Sequence, residues 1–275
     1  MIEIITNEPL LEPKILVIGI GGAGNNALDR MIDTNLVHVD YAAMNTDIQT
    51  LHNCKADIKI QLGQKLTKGF GAGSTCEIGE AAAKENEDEI RELVKKYDLC
   101  ILTCGMGGGT GTGAISVVAN CCKEQNILTV AVVTTPFSFE NTPRITAAKQ
   151  GIEKLKENVD TLLVIPNDKL IGLSEKPLLL EDAFQIADSI LKYTIDGITN
   201  IIYNRGMVNL DFNDLRTTLS GKGLGHLGIG IVDEGTSILE AVKQAINSPL
   251  LDTSIQGGHK SSYQYLRQNQ YPGIK

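Results

Sequence analysis

Residues 105–113 of the chain are Gly105-Met106-Gly107-Gly108-Gly109-Thr110-Gly111-Thr112-Gly113, and six of these nine residues are glycine. The run follows the apolar stretch 97–104 and precedes the apolar stretch 114–119, an order that predicts strand, loop and helix. Glycines let backbone N–H groups approach an anion, and a helix N-terminus adds partial positive charge. Threonine hydroxyls add further hydrogen bonds. The run therefore predicts a phosphate-binding loop rather than a mobile linker.

A second glycine-rich turn lies near the N-terminus. Residues 19–24 match G-x-G-x-x-G after an apolar run and before a helix-like stretch. Alone, this pattern indicates a dinucleotide-dependent oxidoreductase with Asp40 or Asp47 as the ribose acid, which stays open as an alternative. The chain has no G-x-x-x-x-G-K-[ST] motif. Two glycine-rich turns together favour one nucleotide held between two loops.

Composition and charge narrow the class of protein. The chain has 275 residues, 42% of them hydrophobic, which is typical of a globular protein with one large domain and a smaller one. Its 33 acidic and 25 basic residues give a net charge of −8, which argues against nucleic acid or an anionic membrane as the main partner. No signal pattern or long apolar run is present, so we expect a cytoplasmic protein without direct membrane insertion.

The cysteines and histidines do not predict a metal site. Their spacing matches no zinc site, redox C-x-x-C motif or disulfide framework, so no dedicated protein cage for a metal is expected. Cys100 and Cys104 fall on a predicted strand and Cys121 and Cys122 on a predicted helix, as small buried residues. Cys76 follows a glycine-containing turn and is expected beside the nucleotide.

Alternating strands and helices predict an α/β fold with a Rossmann-like parallel sheet. Most predicted strands lead into polar or glycine-rich loops, and ligands of such sheets bind along that edge. The predicted strands are 15–18, 39–43, 58–61, 99–104, 128–133 and 161–165.

Apolar residues recur at helical spacing from 183 to 205, which predicts a long central helix. Phe184 and Asp188 are four residues apart and share one face of it. An aromatic plane beside a carboxylate suits guanine, because the carboxylate accepts hydrogen bonds from N1–H and the 2-amino group, a donor pair that adenine lacks. Beyond this helix, Asp211 and Asp214 stand three apart at a predicted helix start, where local evidence favours plain capping.

Seven motifs in order resemble the FtsZ family of bacterial cell-division GTPases, relatives of tubulin. The resemblance covers residues 13–258 and rests on GIGGAGNN (19–26), NTD (45–47), GMGGGTGTG (105–113), PFSFE (136–140), IPND (165–168), AF with an aspartate (183–188) and NLDF (209–212).

The resemblance implies a GTP-binding domain over 1–182, a central helix over 183–205, a C-terminal GTPase-activating domain over 206–258 and an atypical tail over 259–275. It implies catalytic roles for Asp211 and Asp214, with Asn209 positioning water, and it implies GTP or GDP with Mg²⁺. The implied GTP contacts are Gly21, Gly22, Ala23, Gly24, Asn25, Asn26, Ala72, Gly73, Gly107, Gly108, Gly109, Thr110, Gly111, Thr112, Glu140, Arg144, Asn167, Phe184 and Asp188.

The length of the central helix predicts hydrolysis between subunits. Gly206 follows Asp188 by 18 residues, about 27 Å along a helix, so Asp211 cannot easily reach the γ-phosphate of its own nucleotide. In the family, the loop of one subunit completes the site of the next in a head-to-tail filament. The resemblance also implies other cell-division proteins as partners and a location at the division site.

Three departures from the family pattern qualify these expectations. Typical members read G-A-G-G-N-P, whereas this chain continues after Gly73 with Ser74-Thr75-Cys76. Asn141 stands where the family usually has a glycine, and Pro143 is expected to restrict the backbone before Arg144. Only 24 residues follow Leu251, which predicts a reduced C-terminal sheet with strand candidates only at 226–232 and 252–256. The alternative is a polymerisation-deficient regulator or filament cap that still binds GTP.

Overall fold

The structure, a computed structural model, describes residues 13–33, 39–171, 180–203 and 212–225, together with 239, 240 and 243. The described strands are β1 (Ile15–Ile20), β2 (Val39–Asn45), β3 (Ile58–Gln61), β4 (Leu99–Gly105), β5 (Leu128–Thr135), β6 (Thr161–Pro166) and β7 (Gly223–Gly225). The described helices are α1 (Gly21–Ile32), α2 (Ile48–Asn53), α3 (Gln64–Thr67), α4 (Cys76–Glu85), α5 (Glu87–Val94), α6 (Gly109–Glu124), α7 (Thr142–Lys156), α8 (Asn167–Ile171), α9 (Leu180–Tyr203) and α10 (Phe212–Leu219).

The seven described strands form one parallel sheet in the order β3-β2-β1-β4-β5-β6-β7. Ile15 of β1 lies opposite both Val39 of β2 and Leu99 of β4. The strand order therefore reverses between β1 and β4. In open parallel sheets, such a switch point opens a crevice at the carboxyl ends of the two strands, where ligands bind.

Both faces of the sheet are covered, as the uninterrupted apolar strands require. Leu16 and Ile18 pack with α4, α5, α6 and α7 on one face, while Ile15 and Val17 pack with α1, α2 and α9 on the other. The predicted α/β fold class is confirmed. Among the described residues, no helix is long and apolar enough to cross a membrane.

The helices that follow the two glycine-rich turns begin earlier in the sequence than predicted. Helix α1 begins at Gly21 rather than near Ala27, and α6 begins at Gly109 rather than at Ala114. Glycine lowers helix propensity, which is why the sequence pattern indicated longer loops. The central helix, predicted over 183–205, runs from Leu180 to Tyr203 in the described part of the chain.

Strand β7 was not predicted. Its three residues pair with β6, Gly223 lying opposite Thr161, although they fall within the range assigned to a separate domain over 206–258. The predicted strands 226–232 and 252–256 and the tail 259–275 lie outside the described residues. The domain boundaries therefore stay a prediction.

The cysteines behave as small core residues. Cys100, Cys104, Cys121 and Cys122 are buried and form no disulfide, as predicted. Burial raises the pKa of the Cys104 and Cys121 thiols, so both stay protonated at neutral pH.

Candidate nucleotide-binding site

Two helices begin side by side at the switch point of the sheet. Helix α1 follows β1 and α6 follows β4 across a short turn, and neither has a side-chain cap or an acidic residue in its first turn. By contrast, α2 and α7 are capped by Asp47 and Asn141. Backbone N–H groups at two uncapped helix N-termini attract an anion through hydrogen bonds and the helix dipoles. We call this pair of helix starts the cradle.

Several glycines allow the cradle to pack. A Cβ on Gly24 would stand 2.6 Å from the Thr103 backbone oxygen, and one on Gly109 would stand 2.7 Å from the Thr75 backbone nitrogen. Gly21 and Gly107 adopt positive φ angles of 72° and 96°. These four residues were predicted to contact the nucleotide. Each must be glycine for the protein's own backbone segments to pack at the cradle, whether or not it also contacts the ligand.

Other glycines face open space. A Cβ added to Gly22, Gly73 or Gly108 would meet no atom within 4 Å, and Ala23 and Asn26 are also exposed. Open space beside uncapped N–H groups is where phosphate oxygens fit. The residues predicted to contact the nucleotide thus form two groups. One group packs against the protein backbone and fixes the shape of the cradle, and the other faces the open space of the cradle.

The difference between tightly packed glycines and glycines that face open space can be tested with two Gly→Ala variants. A Cβ at Gly113 would lie 2.0 Å from the Cys76 backbone oxygen, so G113A must push α4 away from α6 and is expected to lower the unfolding free energy by about 3 kcal/mol. G22A meets nothing within 4 Å. It should keep its thermal stability and lose about tenfold or more in GTP affinity, because the methyl group occupies phosphate space. Equal melting temperatures for G113A and G22A would contradict this division.

A buried amide pair fixes the edge of the cradle beside β2. Asn25 donates its side-chain N–H to the Gly19 oxygen at 2.9 Å and accepts from Asn45 Nδ2 at 2.7 Å. Asn45 in turn accepts from the Asp47 backbone N–H at 3.1 Å. Asn25 is therefore a buried residue that stabilises the turn between β1 and α1. Its neighbour Asn26 is the amide exposed to the cradle.

Threonines join the cradle to its surroundings. The hydroxyls of Thr46 and Thr110 lie 2.6 Å apart, and Thr112 Oγ1 accepts from the Gly107 backbone N–H at 2.7 Å. Thr112 is buried and occupied with this bond. Of the two threonines predicted to contact phosphate, the partly exposed Thr110 is the better placed.

The acids proposed for a dinucleotide ribose do not fit that role. Asp40 is the second residue of β2, at the amino end of the strand, and accepts from Tyr97 Oη at 2.9 Å. Asp47 lies at the carboxyl end but caps α2 through Gln49 and Thr50. The structure therefore gives no support to a dinucleotide-dependent oxidoreductase.

The loop before α4, whose sequence departs from the family pattern, contains two consecutive left-handed residues. Gly73 and Ser74 both adopt positive φ angles, 57° and 63°. A left-handed serine costs about 1 kcal/mol relative to a glycine there. Ala72 is buried, and its oxygen accepts from the Thr75 N–H at 3.0 Å, so the loop is nonetheless closed. Cys76 donates to the Gly108 oxygen at 3.6 Å, which places it beside the cradle as expected.

The loops after β5 and β6 form the opposite wall. Glu140 accepts from the Phe137 backbone N–H at 2.9 Å and faces Arg144 Nη1 at 3.0 Å. Asn141 caps α7 by accepting from the Arg144 N–H at 3.0 Å, which fixes the start of that helix. Asn167 is only 5% exposed, and its Oδ1 has no hydrogen-bond partner. A buried acceptor without a donor is costly, so Asn167 suits a ligand hydroxyl or N–H.

Phe184 and Asp188 share one face of α9, as predicted, and each has a partner. The Phe184 ring meets Phe137 edge-on, with centroids 5.2 Å apart, and stays 41% exposed. Asp188 Oδ2 lies 3.3 Å from Arg30 Nε of α1. Burial raises the pKa of Asp188 to about 6, and Arg30 offsets part of that rise.

Arg30 is a site residue that the sequence analysis missed. It lies nine residues after Gly21, about 13 Å along α1, so a nucleotide lying along α1 reaches both the cradle and Asp188. Only the packing of α1 against α9 brings Arg30 to Asp188, and no local pattern signals it. Its positive charge favours the ionised carboxylate that guanine requires.

This pair predicts a pH dependence. Guanine donates to the ionised Asp188, so protons compete with the base, and GTP affinity should fall as pH drops through about 6. In R30M the loss of the positive charge raises the pKa of Asp188, so GTP affinity begins to fall at a higher pH. R30K keeps the positive charge and serves as the control. The nucleotide phosphates titrate in the same range, so the readout is the difference between wild type and R30M in fluorescent-GTP binding from pH 5 to 8. Parallel curves for the two proteins would refute the assignment.

The predicted catalytic residues are only partly described. Asn209 and Asp211 lie outside the described residues. Asp214 is exposed in the first turn of α10, and two residues later Arg216 Nη2 donates to the Asn126 oxygen at 2.8 Å. Asn126 lies two residues before the amino end of β5, so the structure does not bring Asp214 to the cradle of the same chain.

The donor set suits a nucleotide better than a protein-held metal. Within the described ranges, no group of three or more His, Cys, Asp or Glu side chains could hold a metal ion. A Mg²⁺ ion at the cradle would therefore rely mainly on phosphate oxygens and water, as is usual for nucleotide-bound magnesium.

Comparison with known proteins agrees with this geometry. Residues 14–175 match the Tubulin/FtsZ family, GTPase domain. Cell division protein FtsZ 1 of Thermococcus kodakarensis is 49% identical over 247 residues, which are 90% of this chain and 66% of that protein. The chain thus spans about two thirds of the length of this relative.

Solved structures show the same fold. An FtsZ dimer from M. jannaschii, determined empty, superposes with a TM-score of 0.84 at 45% identity, covering 88% of this chain and 70% of its own. CetZ1 from Haloferax volcanii, at 24% identity and a TM-score of 0.68 over 79% of this chain and 68% of its own, shares the fold. By sequence and by structure, the chain belongs to the Tubulin/FtsZ family and contains its GTPase domain.

Proposed function

We propose that this protein binds GTP, assembles head-to-tail into filaments and hydrolyses GTP where two copies meet, as a cytoskeletal protein of cell division. The observation that carries the proposal is the placement of the cradle and of α10 at opposite edges of one sheet. The name of the 49% identical relative, a cell division protein, supports the cellular role. We expect a cytoplasmic location at the division site.

Nucleotide binding needs one chain. The cradle supplies N–H groups for phosphates, the buried Asn167 supplies an acceptor for the sugar side, and Phe184 with Asp188 supplies a plane and a carboxylate for guanine. Adenine offers no donor pair to Asp188, so the carboxylate would keep only its contact with Arg30. Guanine nucleotides are therefore the expected ligands, as GTP before hydrolysis and GDP after it.

Hydrolysis needs a second chain. The cradle lies at the carboxyl ends of the strands, while α10 contacts Asn126, two residues before the amino end of β5. The eight residues of β5 span about 26 Å. Asp214 and the neighbouring Asp211 therefore act best on the nucleotide of the next copy along the same axis. Repeating that contact produces an open, head-to-tail assembly.

An exposed apolar patch supports self-association at the cradle edge. Phe70 is 88% exposed, with Ile48 and Leu66 also exposed, and we call these three residues the edge patch. The Ile48 N–H donates to the Gly69 oxygen at 3.2 Å, which joins the start of α2, just after β2, to the turn after α3. Exposed aromatic and aliphatic side chains of this kind mark protein interfaces. The 45% identical M. jannaschii relative was determined as a dimer.

The proposed chemistry is the attack of water on the γ-phosphate. Carboxylates of Asp211 and Asp214 from the neighbouring copy accept a proton from that water, while Asn209 positions it. Cradle N–H groups of the first copy hold the phosphate oxygens and favour the charge that develops on them. Mg²⁺, when bound, offsets phosphate charge.

The test is turnover as a function of protein concentration. We expect GTP hydrolysis per subunit to be near zero at low concentration and to rise steeply above a threshold, while GTP binding stays the same per subunit. Sedimentation with a slowly hydrolysed analogue should give filaments above that threshold. Equal specific activity at very low and at high concentration would rule out the shared site. Binding without any cooperative turnover would favour a filament cap.

A further inference from the structure

One carboxylate ties the segment after the predicted catalytic loop to the amino edge of the sheet. Asp160 Oδ1 accepts from the Gly221 N–H at 3.1 Å, and Oδ2 accepts from the Thr129 N–H at 3.0 Å. The Asp160 backbone oxygen accepts from the N–H groups of Lys222 and Gly223 at 2.9 and 3.0 Å. A single residue thereby joins the starts of β5 and β6 to the turn between α10 and β7.

Two further bonds attach α10 at the same place. Thr161 Oγ1 donates to the Leu219 oxygen at 2.6 Å, at the end of the helix. Arg216 Nη2, in the last turn of the helix, donates to the Asn126 oxygen at 2.8 Å. The C-terminal half of helix α10 is therefore held to the β5 and β6 edge of the sheet.

The backbone of the turn is shaped for this contact. Gly221 and Gly223 adopt positive φ angles of 62° and 72°, which favour glycine. Lys222 between them points its N–H at the same Asp160 oxygen as Gly223. The turn is thus a defined structure around Asp160.

We propose that Asp160 is a positioning residue for GTP hydrolysis in the neighbouring copy. It holds α10, and with it Asp214 in the first turn of that helix, at a fixed place on the amino edge. The proposal rests on the proposed function, in which that edge faces the next nucleotide. A carboxylate that must reach across an interface loses rate when its support shifts by even about 1 Å.

The same geometry separates Asp160 from GTP binding. Its contacts lie at the start of β5, and the cradle lies beyond the other end of that strand, about 26 Å away. Loss of the Asp160 carboxylate should therefore lower turnover without changing the affinity of a single chain for GTP.

The test compares D160A and D160N with D98A. Asp98 is a matched control, since its Oδ2 accepts the Lys14 backbone N–H at 2.8 Å on the same edge of the sheet, beside β4 rather than α10. At saturating protein we expect D160A to hydrolyse GTP about tenfold or more slowly, with a GTP affinity within about twofold of wild type. D160N should be intermediate, because one amide oxygen can still accept one of the two N–H groups. D98A should hydrolyse at the wild-type rate.

The outcomes separate this inference from the proposed function. If wild type shows concentration-dependent turnover and D160A matches it, the positioning role is wrong while the shared site stands. A parallel loss of GTP affinity and turnover in D160A, or an equal loss of turnover in D98A, indicates a general folding defect and also overturns the role. If wild type shows no concentration-dependent turnover, the shared site fails and the positioning role fails with it.

Discussion

Substitution of Asp188 by Asn is expected to change the preferred base from guanine to xanthine. In the proposed site, Asp188 accepts the N1–H and 2-amino donors of guanine. An asparagine can accept only one of them, while its own N–H₂ faces the other. Charge-assisted hydrogen bonds contribute about 1.5–3 kcal/mol each, so GTP affinity should fall about 100-fold. Xanthine carries an oxygen at position 2, which the new amide N–H₂ can donate to, so XTP should gain affinity.

The measurement is competition of GTP and XTP for a fluorescent nucleotide on wild type and D188N. A matched control is D182N, because Asp182 is an exposed carboxylate near the start of the same helix and away from Phe184. D182N should keep the wild-type preference. If D188N still binds GTP more tightly than XTP, Asp188 does not contact the base.

Removal of either carboxylate proposed as catalytic, Asp211 or Asp214, is expected to slow turnover severely while leaving GTP binding intact. General base catalysis contributes about 10²–10⁴-fold to a rate, so D211A and D214A should each hydrolyse GTP at least about 100-fold more slowly at saturating protein. Their GTP affinity at low concentration should stay within about twofold of wild type, because α10 is bound to the edge of the sheet opposite the cradle.

A control on the same helix separates this effect from damage to α10. Thr217 is exposed there, and its hydroxyl only donates to the Asn213 backbone oxygen at 2.9 Å. T217A should turn over GTP at the wild-type rate. Turnover by D211A and D214A within a few-fold of wild type would mean that the carboxylates cap the helix and do no chemistry.

Local patterns were enough to predict six strands of the sheet and to place the two glycine-rich turns and the Phe184–Asp188 face of the candidate site. The apolar runs correspond to β1–β6, and the two glycine-rich turns lie at the switch point because each follows a strand and starts a helix. Phe184 and Asp188 share a face because a helix brings residues four apart together. Such features depend on neighbours in sequence, which is why the chain alone indicates them.

Contacts between distant segments were beyond local patterns. Arg30 reaches Asp188 through packing of α1 on α9, across 158 residues (188 − 30). Asp160 reaches Gly221 through the end of α10, across 61 residues. Strand β7 has three residues and two glycines, too few for an alternating pattern. Asp40 matched the expected spacing of a ribose acid, yet its place at the amino end of β2 excludes that role.

The most direct test of the shared site is to mix two variants that are each inactive with GTP. D188N keeps the loop that carries Asp211 but is expected to bind GTP poorly. XTP is added so that the nucleotide site of D188N is filled and this variant can still assemble. D211A binds GTP but lacks the catalytic carboxylate. In a random 1:1 copolymer, GTP bound to D211A meets the loop of D188N at about a quarter of the interfaces. We predict that GDP appears in the mixture at up to about a quarter of the wild-type rate. No GDP from a mixture whose two variants sediment together would contradict hydrolysis between copies.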